Sequence, residues 1–123
     1  MASIVVTSGK QQSEFLPLGR RTSVIGRAEN LPLQILDDLV SRKHLRIHFR
    51  ENEGRYYAED MGSRHGVFIN ELRIMGQTGL TDGDQILIGR TTLLFTDKDF
   101  DNRESALNHY KKAGERDRRT ITG

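Results

Sequence analysis

The sequence predicts an all-β protein, a sandwich of two antiparallel-type sheets followed by a short polar tail. Three observations predict it. Apolar and polar residues alternate over short runs, turn residues separate those runs, and no long apolar helical stripe lies among them. The clearest run is Leu45, Ile47 and Phe49 alternating with Arg46, His48 and Arg50, the period-two pattern of a half-buried strand. Ile86 and Ile88 repeat it across Leu87, and Thr91, Leu93 and Phe95 continue after Gly89-Arg90. Shorter apolar runs at 4–7, 15–18, 23–25, 34–36, 56–59 and 67–69 complete the expected strands. Between them stand Ser8-Gly9, Glu53-Gly54, Gly62-Ser63 and Thr81-Asp82-Gly83-Asp84. Of these, Asp82-Gly83 supplies the left-handed backbone that a tight hairpin needs.

The organisation expected is one domain over residues 1–97 and a tail or linker over 98–123. The chain of 123 residues is long enough for a core of its own. In the tail, Asp101 with Glu104 marks a helix N-terminus, and Leu107, Tyr110 and Ala113 fall on one thin stripe. Such a stripe is too narrow to hold a free helix. Gly114 breaks it, and residues 115–119 are solvated in character.

Composition excludes several classes. There are no cysteines, hence no disulfide or cysteine-ligated metal, which is compatible with a cytoplasmic location. No apolar run approaches a membrane span, and the N-terminal residues lack a signal-peptide pattern. Basic and acidic residues balance up to Asp97, so the formal charge of +2 resides in the tail. A body without a broad basic face is a poor nonspecific binder of nucleic acid.

The basic character that remains is local. It lies in three blocks at strand ends: Gly26-Arg27, Ser41-Arg42-Lys43-His44 and Gly62-Ser63-Arg64-His65-Gly66. Guanidinium groups offer paired planar donors, and hydroxyls and loop amides complete the coordination of a phosphate. Taken singly, each block reads as an ordinary turn with an exposed cation. A histidine at a strand entrance more often fixes a loop by hydrogen bonding than binds a ligand. The spacing in Gly62–Gly66 differs from a nucleophile elbow and no helix follows it, which argues against a serine hydrolase. His44 and His48, four apart on one strand face, lack the clustered carboxylates or cysteines of a metal site. No nucleotide-binding glycine loop is present, and neither catalysis nor a cofactor is expected.

Together the blocks resemble the forkhead-associated (FHA) domain. Gly-Arg is followed about fifteen residues later by Ser-Arg-x-His and about twenty beyond that by Asp-x-Gly-Ser, and Leu80-x-Asp82-Gly83-Asp84-x-Ile86-x-Ile88-Gly89 follows. The resemblance covers roughly residues 4–96. It implies a β-sandwich that recognises phosphothreonine peptides in Ser/Thr kinase signalling. It makes Arg27, Ser41, Arg42 and Arg64 the phosphate-binding residues, and Lys43, Ser63 and His65 neighbours of the peptide. Gly26, His44, Gly66 and Asn70 become structural. Two positions depart from the family pattern. His65 stands where an asparagine usually contacts the peptide main chain, and Glu71 where a glycine usually follows Asn70. The alternative function is a phosphate-independent interaction or oligomerisation domain on the same fold. In the tail, Arg118-Arg119-Thr120 has the pattern of a basophilic phosphosite, which would make the chain a ligand for its own kind of domain.

Overall fold

A computed structural model describes residues 2–97. The helix expected from Asp101 onward, with Thr120, lies outside these residues. Eleven strands succeed one another: β1 Ser3–Val6, β2 Phe15–Pro17, β3 Ser23–Gly26, β4 Leu33–Gln34, β5 Leu45–Arg50, β6 Arg55–Asp60, β7 Val67–Ile69, β8 Leu72–Arg73, β9 Thr78–Gly79, β10 Gln85–Ile88 and β11 Thr91–Thr96. They form a six-stranded sheet in the order β2-β1-β11-β10-β7-β8 and a five-stranded sheet in the order β4-β3-β5-β6-β9. All pairings are antiparallel except β3 with β4, which run parallel. Among the described residues no helix is long and apolar enough to cross a membrane.

The two sheets meet over the alternating apolar residues. Ile4, Ile25, Leu45, Ile47, Ile86, Ile88, Leu93 and Phe95 are essentially inaccessible and belong to one core cluster. Burying each such side chain is worth about 1.5–3 kcal/mol, and a one-residue slip would turn a whole strand outward, so the register is strongly fixed. The longest ladder, β5 with β6, starts at Leu45 opposite Asp60 and ends at Arg50 opposite Arg55. Its start places the loop before β5 beside the loop after β6, which is where two of the three polar blocks lie.

Three local features differ from expectation. The strands β8 and β9, two residues each, carry too short a pattern to be seen in the sequence. Asp82-Gly83 does not close a hairpin, because β9 and β10 belong to different sheets. Gly83 does take φ 90°, but the Asp82 carboxylate accepts from the Thr96 hydroxyl and the Asp97 N–H at 3.0 Å each, tying the turn to the end of β11. The tight hairpin is instead Asn70-Glu71, between β7 and β8, with φ 50° and 74°.

Asn70 is suited to that turn. Its side-chain amide donates to Asp84 at 2.9 Å and its Oδ1 accepts from the Gln85 N–H at 3.0 Å, pinning the hairpin to β10. Glu71 has no such compensation, and left-handed backbone costs a non-glycine residue about 1–2 kcal/mol. Glu71→Gly is therefore expected to stabilise the protein by about 0.5–1 kcal/mol, after allowing for the greater entropy of glycine in the unfolded chain. Urea denaturation should show a higher midpoint at unchanged slope. A lower midpoint would contradict the reading of this turn as strained.

Candidate functional site

Gly26 is the point from which the site is built. A Cβ there would lie 2.3 Å from the Arg42 carbonyl oxygen and 2.8 Å from that of Ser41, a backbone-to-backbone approach that no side chain permits. The close approach lets the end of β3 bond directly to the next loop. Arg27 N–H donates to the Ser41 carbonyl at 3.0 Å and Ala28 N–H to that of Arg42 at 3.1 Å. Sequence reading treats Gly26 as a strand-ending glycine; the structure adds that its missing side chain joins the first two blocks.

Arg27 is exposed, and its Nε donates to the Val40 carbonyl at 3.0 Å. That bond fixes the plane of the guanidinium while leaving the donors of its terminal nitrogens available. Gln34 caps the Arg27 carbonyl at 3.1 Å and is in turn held through its own carbonyl by the Gln11 side chain, whose Oε1 also accepts from Leu36 N–H. The segment bearing Arg27 is thus braced from two sides.

The second and third blocks are joined by Ser41 and His44. The Ser41 Oγ accepts from Arg64 N–H at 3.2 Å. His44 is wholly buried, 0% exposed, just before β5. Its Nδ1 accepts from Ser41 N–H at 3.0 Å and its Nε2, 2.7 Å from the Gly66 carbonyl, donates to it. These partners select the Nε2–H tautomer and clamp the loop before β5 onto the loop after β6. His44 is thus enclosed between the two loops, whereas His48, half-buried on β5, stacks on Tyr57 with ring centroids 6.0 Å apart.

Ser63 is engaged inside its loop. Its N–H donates to Asp60 Oδ1 and its Oγ accepts from Gly66 N–H, both at 2.9 Å. Gly66 itself takes φ 84°. Arg42, Lys43, Arg64 and His65 are exposed around this scaffold. Arg27 and Arg42 line a groove of about 830 Å³ together with Lys10, Glu29, Asp37 and Asp38. Asn70 stands apart, three residues beyond Val67 at the far end of β7.

Sequence reading missed Asp37. Its carboxylate accepts from Leu39 N–H at 2.9 Å, Arg90 N–H at 2.7 Å and the Thr91 hydroxyl at 2.9 Å, and its carbonyl accepts from Val40 N–H at 2.9 Å. It therefore ties the β10–β11 turn to the segment whose Val40 carbonyl holds Arg27. An isolated aspartate before a loop carries no signal of this role. Burial pushes its pKa up, but the two N–H donors, the hydroxyl and the Arg90 charge outweigh that and leave it below the ordinary carboxylate value. A carboxylate with a lowered folded pKa stabilises above its unfolded pKa, and that contribution is lost as pH falls through the folded value. Asp37→Asn should cost about 1 kcal/mol at neutral pH, since the group is partly solvated. It should also flatten the acid side of the melting curve as pH falls below the ordinary carboxylate range, about pH 4. Parallel acid limbs for the two proteins would contradict this role.

Comparison with known proteins places the geometry in a wider set. The FHA domain family model matches residues 23–89. The FHA domain-containing protein FhaB of Mycolicibacterium smegmatis is 31% identical over 90 residues, covering 73% of this chain and 57% of the relative. The chain thus spans somewhat over half of that relative's length. A solution structure of an FHA domain from Arabidopsis thaliana superposes with a TM-score of 0.74 at 26% identity, covering 82% of this chain and 88% of the other. Mycobacterium tuberculosis EmbR in complex with a low-affinity phosphopeptide superposes with a TM-score of 0.70 at 26% identity, covering 82% of this chain and 25% of that one.

Proposed function

Since this chain belongs to the FHA domain family, we propose that its loop end binds phosphothreonine peptides as a non-catalytic signalling module, with Arg27, Ser41, Arg42 and Arg64 receiving the phosphate. The observation that carries this is the use made of Ser41. Its oxygen accepts from Arg64 N–H at 3.2 Å, which leaves the hydroxyl proton free to donate outward beside Arg27. A phosphate brings roughly −1.5 to −2 charges and three acceptor oxygens, and affinity should come mainly from it. A fixed guanidinium, a hydroxyl donor and exposed cations on adjoining loops complement that group. Lys43 and His65, exposed on the same loops, would flank the peptide, while Ser63 acts by shaping the loop that presents them.

Titrating isotope-labelled protein with a phosphothreonine peptide tests the location. The amides of Arg27, Ser41, Arg42 and Arg64 should shift most, and those of Asn70 and Asp82 least. The largest shifts at the Asn70 end would contradict the assignment.

The partner is a phosphorylated protein of a Ser/Thr kinase pathway, in a cytoplasmic setting. Thr120 of the chain itself, preceded by two arginines, is one candidate phosphosite. Phosphorylated there, the protein should compete with added phosphopeptide, weakening its apparent affinity several-fold. Unchanged peptide affinity, with unchanged mass by light scattering, would leave the tail as a linker.

A further inference from the structure

A second set of arginines gathers at the pole opposite Arg27, where the residues before β3 meet the turn between β5 and β6. A groove of about 650 Å³ there is lined by Gly19, Arg20, Phe49, Gly54, Arg55 and Tyr56. The Tyr56 hydroxyl donates to the Gly19 carbonyl at 2.5 Å, which holds the segment bearing Arg20 and Arg21 against the groove. Arg20 sits over the Phe49 ring, 5.7 Å from its centroid, and Arg55 over that of Tyr57 at 5.8 Å. Arg21 lies across Gly19, where a Cβ would stand 2.8 Å from its guanidinium. Burial pushes the Tyr56 hydroxyl up in pKa while Arg20 and Arg21 pull it down, so both charges are felt in the groove. All three arginines are exposed, and among the described residues none of them is ion-paired. By contrast, Arg46 and Arg50 of β5 pair with Glu59 at 2.8 Å and Glu53 at 3.0 Å. Glu53 also accepts from the Tyr57 hydroxyl at 2.8 Å, so it is already engaged. Asp97, which also lines the groove, offsets only part of the positive charge.

We infer that this groove docks an acidic segment of a protein partner, one that carries an aromatic residue among its carboxylates. Charge complementarity selects the acid, because guanidinium groups without a carboxylate of their own form paired, charge-assisted bonds to one that arrives. The half-buried Phe49 ring, beneath Arg20, offers the aromatic residue a surface to pack on. A nucleic acid would want a cationic track along which successive bases stack, whereas these arginines converge on one groove. The groove is also separate from the phosphate loops. Thr22 and Arg27 flank the four residues of β3, which sets the two poles about 17 Å apart at about 3.3 Å per residue. No phosphothreonine side chain bridges that span, so acidic segment and phosphothreonine occupy distinct sites and neither requires the other.

The probe is a short unphosphorylated peptide of glutamates around one phenylalanine, added to isotope-labelled full-length protein. The amide resonances of Gly19, Gly54 and Arg55 should shift, and those of Arg27 and Ser41 should not. Arg27→Ala should bind the peptide as the wild type does. Arg20→Glu with Arg55→Glu should weaken it by about tenfold or more, and a peptide with lysines for the glutamates should not bind. Absence of shifts at Gly19, Gly54 and Arg55 in the wild type would overturn the inference, as would equal affinity of the double variant. Inorganic phosphate alone shifting the same amides as strongly would overturn it too, by making the groove a general anion site. Tighter binding of a single-stranded oligonucleotide there would overturn it in favour of a nucleic acid.

Discussion

Arg27→Ala is expected to weaken binding of a phosphothreonine peptide by about thirtyfold or more while leaving the fold intact. Losing a charge-assisted partner of a phosphate costs about 2 kcal/mol or more, which is that factor in affinity. The structural loss is smaller. Arg27 is exposed, and the side-chain bond it forfeits is the one from Nε to the Val40 carbonyl at 3.0 Å, worth about 1 kcal/mol at most sites. The Arg27 N–H bond to Ser41 is backbone and survives the substitution. Arg27→Lys should fall between, keeping the charge but losing the planar fork. Calorimetry with one peptide on all three proteins measures this. Wild-type affinity in a well-folded Arg27→Ala protein would remove Arg27 from the site.

His44→Ala is expected to lower stability by roughly 2–4 kcal/mol, with a melting temperature lower by about ten degrees or more. Two contributions add. The imidazole is wholly buried, so its removal leaves a cavity. It also strands the Ser41 N–H and the Gly66 carbonyl, each unsatisfied group costing about 1–3 kcal/mol where water cannot replace the partner. Peptide affinity should fall because the loops loosen, but residue preference around the phosphothreonine should change little. An unchanged melting temperature together with lost binding would make His44 a ligand contact and contradict the clamp.

The strands whose two faces differ were legible in the sequence. Leu45–Arg50 and Val67–Ile69 fall where alternation puts them, because one side of each packs on the second sheet. Leu72–Arg73 and Thr78–Gly79 were not, since two residues carry no period. The hairpin at Asn70-Glu71 was hidden by a residue type that avoids its own backbone conformation. Among site residues, the polar blocks stood out because loops at strand ends seldom collect arginine, serine and histidine without use. What holds them did not stand out. Arg27 is oriented by a backbone carbonyl of Val40, and any residue supplies one. Asp37 acts through two backbone N–H groups more than fifty positions from one another, a relation that follows from topology alone.

Phosphate dependence is the central claim, and His65, in place of the family asparagine, is the residue that favours a phosphate-independent interaction domain. Isothermal titration of the wild-type protein with one threonine peptide, phosphorylated and unphosphorylated, separates the two. Binding to the phosphorylated peptide alone, with at least thirtyfold discrimination from a contribution of about 2 kcal/mol by the phosphate, is the predicted result. Equal affinity for both peptides would contradict it.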